Sequence, residues 1–219
     1  MIDVKQFVSL LLRRNGKVHF LSRLKETSHI LDVGCGNNSP YRIKKILPKC
    51  NYTGIDIGDY NQTKPIIADK YIITTPNEFH LEINKFSESF DAVVSSHNLE
   101  HCNDRVSTLM AMLNAVKKNG LIYLSFPCEQ STTFPKRKGT LNYFDDPTHL
   151  FFPPNFRDVI NVIEANNFSI TFCRQNYSPI FLKIFGFLVE PISKMRKKVL
   201  RGTLEYYGFE TIIIAKKNG

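Results

Sequence analysis

The chain lacks any Cys-x-x-Cys pair, any uncharged run approaching the ~20 residues that a helix needs to span a bilayer, and any internal repeat or low-complexity tract. Its first residues, Met1-Ile2-Asp3-Val4-Lys5, have none of the basic start, apolar stretch and small-residue cleavage site of a secretory leader. The five cysteines, Cys35, Cys50, Cys102, Cys128 and Cys173, are odd in number and too sparse for a disulfide framework. These absences argue against a secreted disulfide scaffold and a membrane-spanning protein. They predict free thiols in a reducing compartment and a cytoplasmic location.

Acidic residues are also scarce: 20 Asp+Glu against 29 Lys+Arg leave a formal net charge of +9. Such a balance favours anionic partners, namely nucleic acid, phosphorylated substrates or an acidic membrane surface. Neither an RNA-binding appendage nor an aromatic-plus-basic sheet signature is present, which disfavours nucleic acid. At 219 residues and 42% hydrophobic composition the chain suits one well-buried domain.

What is there is organised around Ile30-Leu31-Asp32-Val33-Gly34-Cys35-Gly36-Asn37-Asn38-Ser39-Pro40. The apolar run reads as a strand buried on both faces of a parallel sheet, and the two glycines permit a tight turn against which a ligand could lie. Taken alone, an ordinary turn after a core strand fits equally well. Context favours the ligand: Pro40–Leu47 reads as a crossover helix, 51–57 as a second strand, and Asp56 falls 22 positions after Gly34, where a carboxylate meets ribose hydroxyls. Where a dinucleotide turn needs its third glycine the chain has Ser39, which argues against a pyrophosphate and hence against a nicotinamide-dependent oxidoreductase.

Further strands are expected at 65–68, 90–96 and 121–126, with a helix through Leu109, Met112, Leu113 and Val116 that stops on Lys117-Lys118-Asn119-Gly120. Residues 70–89 carry no clear period. An amphipathic leading helix is expected over 2–14 and a short one over 20–25, and residues 1–27 lead into a nucleoside-binding half at 28–127. The second half, 128–219, begins with a long loop to 154 carrying Lys136, Arg137 and Lys138. A helix near 155–166, a strand near 168–174 and a last strand at 209–216 follow. Between the last two strands an insertion, 178–208, is nearly continuously apolar from Ile180 to Val189 and then basic at Lys194, Arg196, Lys197, Lys198 and Arg201. This pattern suits a helix lying on an acidic membrane surface, with contact through 178–201; a core or dimer helix fits about as well.

Leu31-Asp32-Val33-Gly34-Cys35-Gly36, Gly54-Ile55-Asp56, the strand 90–96 with Leu99-Glu100-His101 and Asp104, and Leu113-x-x-Val116-Lys117-x-x-Gly120 together resemble the class I S-adenosylmethionine-dependent methyltransferases, in particular their small type 11 group. The resemblance covers residues 28–128 and extends loosely through Asp146-x-x-His149 and the last strand pair. It implies an α/β, Rossmann-like, doubly wound and mostly parallel seven-stranded sheet with an antiparallel last strand. S-adenosyl-L-methionine would be the cofactor. Asp32, Gly34, Cys35 and Gly36 would then line its methionine end, Asp56 its ribose, and Ile57 and Asp69 its adenine. Ser96 and His97 would sit near the methyl group. Departures are Asn38 in place of a frequent third glycine and a long stretch after Asp69.

Methyl transfer to a hydroxyl benefits from a base with a pKa near working pH, so His97, His101 and His149 are the catalytic candidates. A His97–His101 pair invites a metal, but no third ligand stands at supporting spacing, and no metal is expected. The insertion favours a lipid-linked or membrane-proximal acceptor, and the resemblance, through Asp146-x-x-His149, implies a small-molecule, sugar or lipid-linked saccharide acceptor. A non-catalytic, membrane-associated adaptor that keeps the fold is the other alternative.

Overall fold

The computed structural model describes residues 12–149 and 151–219; the expected leading helix over 2–14 falls largely outside them. In chain order the elements are α1 (Lys17–Leu21), β1 (His29–Val33), α2 (Ser39–Ile46), β2 (Asn51–Asp56), β3 (Lys70–Ile73), α3 (Phe79–Asn84), β4 (Phe90–Ser96), α4 (Arg105–Ala115), β5 (Val116–Pro127), α5 (Phe156–Ala165), β6 (Phe168–Tyr177), α6 (Ile180–Met195), α7 (Thr203–Tyr207) and β7 (Glu210–Lys217). Short 3₁₀ turns lie at Leu99–His101, Glu129–Thr133 and Tyr143–Asp145.

The strands form one seven-stranded sheet in the order β3-β2-β1-β4-β5-β7-β6. The first five run parallel, and β7 lies antiparallel between β5 and β6. Alternate residues of each strand feed opposite faces. Leu31 and Val33 join Phe79, Ile83, Met112 and Ile163 in one core, while Ile30, Tyr52 and Val94 join Phe20, Leu21 and Ile43 in the other. Covering both faces is why β1 and β4 carry apolar residues at consecutive positions, Ile30-Leu31 and Ala92-Val93-Val94, rather than in alternation.

Three expectations need correction. The third strand is Lys70–Ile73 rather than 65–68, paired in parallel with β2 from Thr53 to Asp56. Residues 70–89 hold this strand and α3. The helix before β5 ends at Ala115: Val116 is already extended and pairs with Phe90, so Lys117–Gly120 belongs to the strand segment. There Lys117 meets Asp91 at 2.9 Å.

The inserted α6 is anchored at two points. A Cβ on Gly186 would stand 2.1 Å from the carbonyl oxygen of Gly202, so only glycine lets the two segments touch. Arg137, from the long loop, grips Glu190 through two hydrogen bonds of 2.8 and 2.6 Å and donates to Ser193 Oγ at 2.7 Å. Tyr207 also donates to Glu190. Hydrogen bonding to Arg137 holds the Glu190 carboxyl below the usual carboxylate range, with burial working against it. A depressed folded pKa gives stability that is present above the unfolded value and lost as pH falls. Thermal melts of the wild type should therefore show an acid limb beginning near the ordinary Glu pKa of about 4.3 that Glu190→Gln flattens. Parallel profiles would show that the pair is not coupled to folding.

Candidate functional site

The strand order reverses between β1 and β4, which opens a crevice at their carboxyl ends. Gly34 ends β1 there with φ +75, and a Cβ on it would lie 2.5 Å from Asn98, just beyond β4. The loop after β2 lies across the turn: Tyr60 O accepts from Asn37 N, and Gln62 Nε2 donates to Cys35 O at 2.9 Å. Tyr60 packs against Gly36.

Asp32 is fully buried on the face covered by α1 and α2. It accepts hydrogen bonds from Ser39 Oγ (2.5 Å) and Tyr52 OH (2.8 Å), and Lys17 Nζ approaches to 3.4 Å. Burial, together with the negative field of Asp32, keeps the Tyr52 phenol well above its ordinary pKa and therefore neutral. Asp32 is thus a brace beneath the glycine turn. Cys35 turns its thiol inward, against Gly54 and Tyr71, where desolvation raises its pKa strongly; only its backbone faces the turn.

Asp56, at the carboxyl end of β2, is 6% exposed. Desolvation raises its pKa while the backbone N–H groups of Ile57, Gly36 and Gly58 oppose the rise. Ile57 N donates to it at 2.7 Å. A carboxylate offers about four acceptor positions, so Asp56 keeps capacity for a hydroxyl donor. This buried acid, held by main-chain donors beside two glycines, fits a nucleoside ribose. Ile57 is exposed next to it.

Asp69 is not brought to the site. It stands at the amino end of β3, accepting from Tyr52 N at 2.7 Å and Lys44 Nζ at 2.6 Å, on the edge of the sheet opposite the crevice. The carboxyl end of that strand is Ile73.

Ser96 ends β4 with its hydroxyl 3.3 Å from Ser125. His97 follows in a left-handed conformation, φ +50, its side chain 42% exposed between Glu100 (Nδ1 to Oε1, 3.3 Å) and Glu210 (Nε2 to Oε1, 3.5 Å). Burial would lower its pKa, but the two carboxylates outweigh it and raise the pKa to about 10. His97 is thus an imidazolium at neutral pH. Glu210 is held at about 2 against its own desolvation, by His97 and by Arg13, which donates to it at 2.9 Å.

His101 and His149 meet with ring centroids 4.6 Å apart. Desolvation, aided by the field of His149, lowers the His101 pKa and keeps that ring neutral. Beside them an apolar cleft of about 550 Å³ opens between Leu99, Val106, Leu109, Phe144 and Phe152. Spacing alone did not reveal the acids Glu100 and Glu210 as histidine partners, nor Lys17 as the cation beside Asp32. The one signal was Glu210 itself, the only acid of the last strand, standing just before the apolar run Ile212–Ala215.

Residues 6–171 match the family model described as a methyltransferase domain. An uncharacterized protein of Methanocaldococcus jannaschii is 27% identical over 112 residues, 47% of this chain and 29% of that protein, so the chain matches less than a third of this curated relative's length. Among solved structures, a chain of the complex between the Haloferax volcanii Trm112 methyltransferase activator and a methyltransferase aligns over 99% of this chain and 95% of its own, with a TM-score of 0.64 and 13% identity. Phosphoethanolamine N-methyltransferase 2 of Haemonchus contortus, in complex with S-adenosyl-L-methionine, aligns over 99% of this chain and 53% of its own (TM-score 0.61, 15% identity). A SAM-dependent methyltransferase from Archaeoglobus fulgidus aligns over 98% and 100% (TM-score 0.52, 18% identity). At these identities the likeness is one of fold.

Proposed function

The chain belongs to the methyltransferase-domain family, and from that membership and the geometry of the crevice we propose that it moves a methyl group from S-adenosyl-L-methionine to an oxygen of a small-molecule, sugar or lipid-linked saccharide acceptor. The observation that carries the cofactor assignment is Asp56, a buried carboxylate with spare acceptor capacity at the end of β2, facing the glycine turn. Asp56 would take the ribose hydroxyls. Gly34 and Gly36 would let the methionine portion lie against bare backbone, braced from below by Asp32. When bound, the cofactor supplies an electrophilic methyl on a sulfonium that becomes a neutral thioether as the methyl leaves.

The protein's own part is mostly positioning and exclusion of water. His97, cationic between Glu100 and Glu210, fixes the loop after β4. An acceptor hydroxyl loses a proton on methylation, and in the protein without a bound cation the neutral His101 ring, beside His149, is the group suited to receive it.

The acceptor class is supported by α6. Only Leu182, Gly186 and Ser193 of this helix are buried, while Ile180, Phe181, Ile184, Phe185, Phe187 and Leu188 stand exposed. No helix among the described residues is long and apolar enough to cross a membrane. At its C-terminal end a basic cleft of about 500 Å³ is lined by Lys136, Lys138 and Lys197. An exposed apolar face next to clustered cations suits an anionic lipid surface.

Sedimentation with vesicles containing anionic phospholipid should pull down the wild type, and the triple change Phe181→Ser, Phe187→Ser and Leu188→Ser should reduce binding at least about tenfold, the loss of three buried side chains. Equal binding by both proteins would remove the membrane reading. Transfer of label from methyl-labelled cofactor should appear in lipid-extracted saccharide fractions. Label found only in RNA would overturn the acceptor class.

A further inference from the structure

We propose that Glu100, His101 and His149 form a binding site for one divalent first-row transition-metal ion, with Zn²⁺ as the reference cation. One ligating atom from each of the three side chains lies within 4.8 Å of the others. The sequence separates His149 from the other two by nearly fifty residues; the long loop returns it to the 3₁₀ turn after β4.

The hydrogen bonds behind the two imidazoles select the nitrogens. His149 Nδ1 lies 2.6 Å from the carbonyl oxygen of Tyr143, which can only accept, so Nδ1 carries a proton and Nε2 is the nitrogen turned away from that bond. Tyr143 also stacks on the ring at 4.0 Å and fixes its plane. Thr148 Oγ1 donates its one hydrogen to Asp146 Oδ1 at 2.6 Å, so in its 3.0 Å contact with His101 Nδ1 it accepts. His101 therefore also holds its proton on Nδ1 and leaves Nε2 free. Oriented imidazoles whose second nitrogen donates to a carbonyl or to a carboxylate-linked hydroxyl are the outer arrangement that metal-binding histidines use.

Glu100 supplies the independent observation. Its side chain is 1% exposed; Oε1 faces the His97 imidazolium without hydrogen-bond geometry, and Oε2 has no partner among the described residues. His97 Nδ1 stands 3.3 Å from Oε1, and no ion pair reaches Oε2 among the described residues. The neighbouring Arg105 is engaged with two carbonyl oxygens, those of Glu100 and Phe152, and not with the carboxylate. Buried anions are paired or coordinate cations. A cation shared with the two imidazoles would give the second oxygen of Glu100 a partner.

Two imidazoles and a carboxylate form a set that binds zinc, iron, cobalt or manganese in preference to calcium, and three protein ligands leave a position for water or an oxygen of a second molecule. The site stands on these residues alone and does not depend on the identity of the methyl donor.

The test is competition between chelator-stripped full-length protein and a chromogenic zinc chelator, paired with the visible absorption spectrum of the Co²⁺-loaded protein. The expected result is one equivalent of Zn²⁺ per chain and a Co²⁺ spectrum of low-coordinate nitrogen–oxygen type. Glu100→Gln and His149→Gln should each weaken zinc binding by roughly 100-fold or more, beyond what loss of an outer partner costs. Cys173→Ser, which removes an exposed thiol, should leave binding unchanged. If Glu100→Gln fails to fold, His149→Gln, on the loop, carries the test, with circular dichroism confirming its structure. Absence of stoichiometric zinc binding by the wild type, or equal binding by His149→Gln, would overturn the site.

Discussion

Gly34→Ala abolishes measurable cofactor binding and lowers stability by about 2–4 kcal/mol, the largest functional loss expected from any single methyl group added to this chain. Two costs combine. The residue holds φ +75, where an L side chain costs roughly 1–2 kcal/mol. The new Cβ would also stand 2.5 Å from Cβ, Cγ and Oδ1 of Asn98, so the start of the loop after β4 must shift to admit it. That loop carries His97, Glu100 and His101 within three residues of Asn98, and a displacement there disturbs the acceptor side as well as the cofactor side. Calorimetric titration with S-adenosylhomocysteine, beside a denaturant melt, reads both losses. Retained affinity would mean that β1 and β4 can separate without consequence for the site.

Asp32→Ala should cost about 2–4 kcal/mol, because it strands the buried hydroxyls of Tyr52 and Ser39 and leaves Lys17 without its carboxylate. Asp32→Asn keeps an acceptor oxygen and the side-chain volume, so it should recover about half of that loss. The two variants separate a brace from a direct ligand. A brace gives affinity losses that follow the stability losses, whereas a ligand gives an affinity loss in Asp32→Asn with little change in melting temperature. The hydrogen bonds of Asp32 to α2 and β2 predict the first pattern.

Much of this site could be read in the sequence because its signals are local. An apolar run, two glycines and an acid 22 residues on all lie within one strand–helix–strand unit, and their spacing is set by strand and helix lengths. The errors came where the deciding contact is distant. β3 is a half-exposed edge strand of mixed polarity, Lys-Tyr-Ile-Ile, and it has no alternation to announce it, whereas Ile66-Ile67 nearby has the more strand-like local pattern. On that reading Asp69 follows a strand, whereas it precedes one. Lys117–Gly120 has the composition of a helix stop, but Val116 pairs with Phe90 across the sheet, a partner no local pattern reveals.

The histidines show the same division. His97, His101 and His149 are evident as residue types, but the charge on His97 is set by Glu210 from the last strand and Glu100 from the 3₁₀ turn, and the neutrality of His101 by its desolvation. The pairing of His101 with His149 depends on how the loop 128–154 folds back, with Arg137 locked to Glu190 and Asn142 capping the turn that carries Tyr143.

The most direct measurement is a calorimetric titration of S-adenosylhomocysteine into the wild type and Asp56→Ala, with NAD titrated in parallel. The wild type should bind one equivalent of S-adenosylhomocysteine and no NAD, and Asp56→Ala should weaken binding by about 10–100-fold, the value of charge-assisted hydrogen bonds worth ~1.5–3 kcal/mol. Tight NAD binding without S-adenosylhomocysteine binding, or an Asp56→Ala protein that binds as well as the wild type, would contradict the assignment of this crevice.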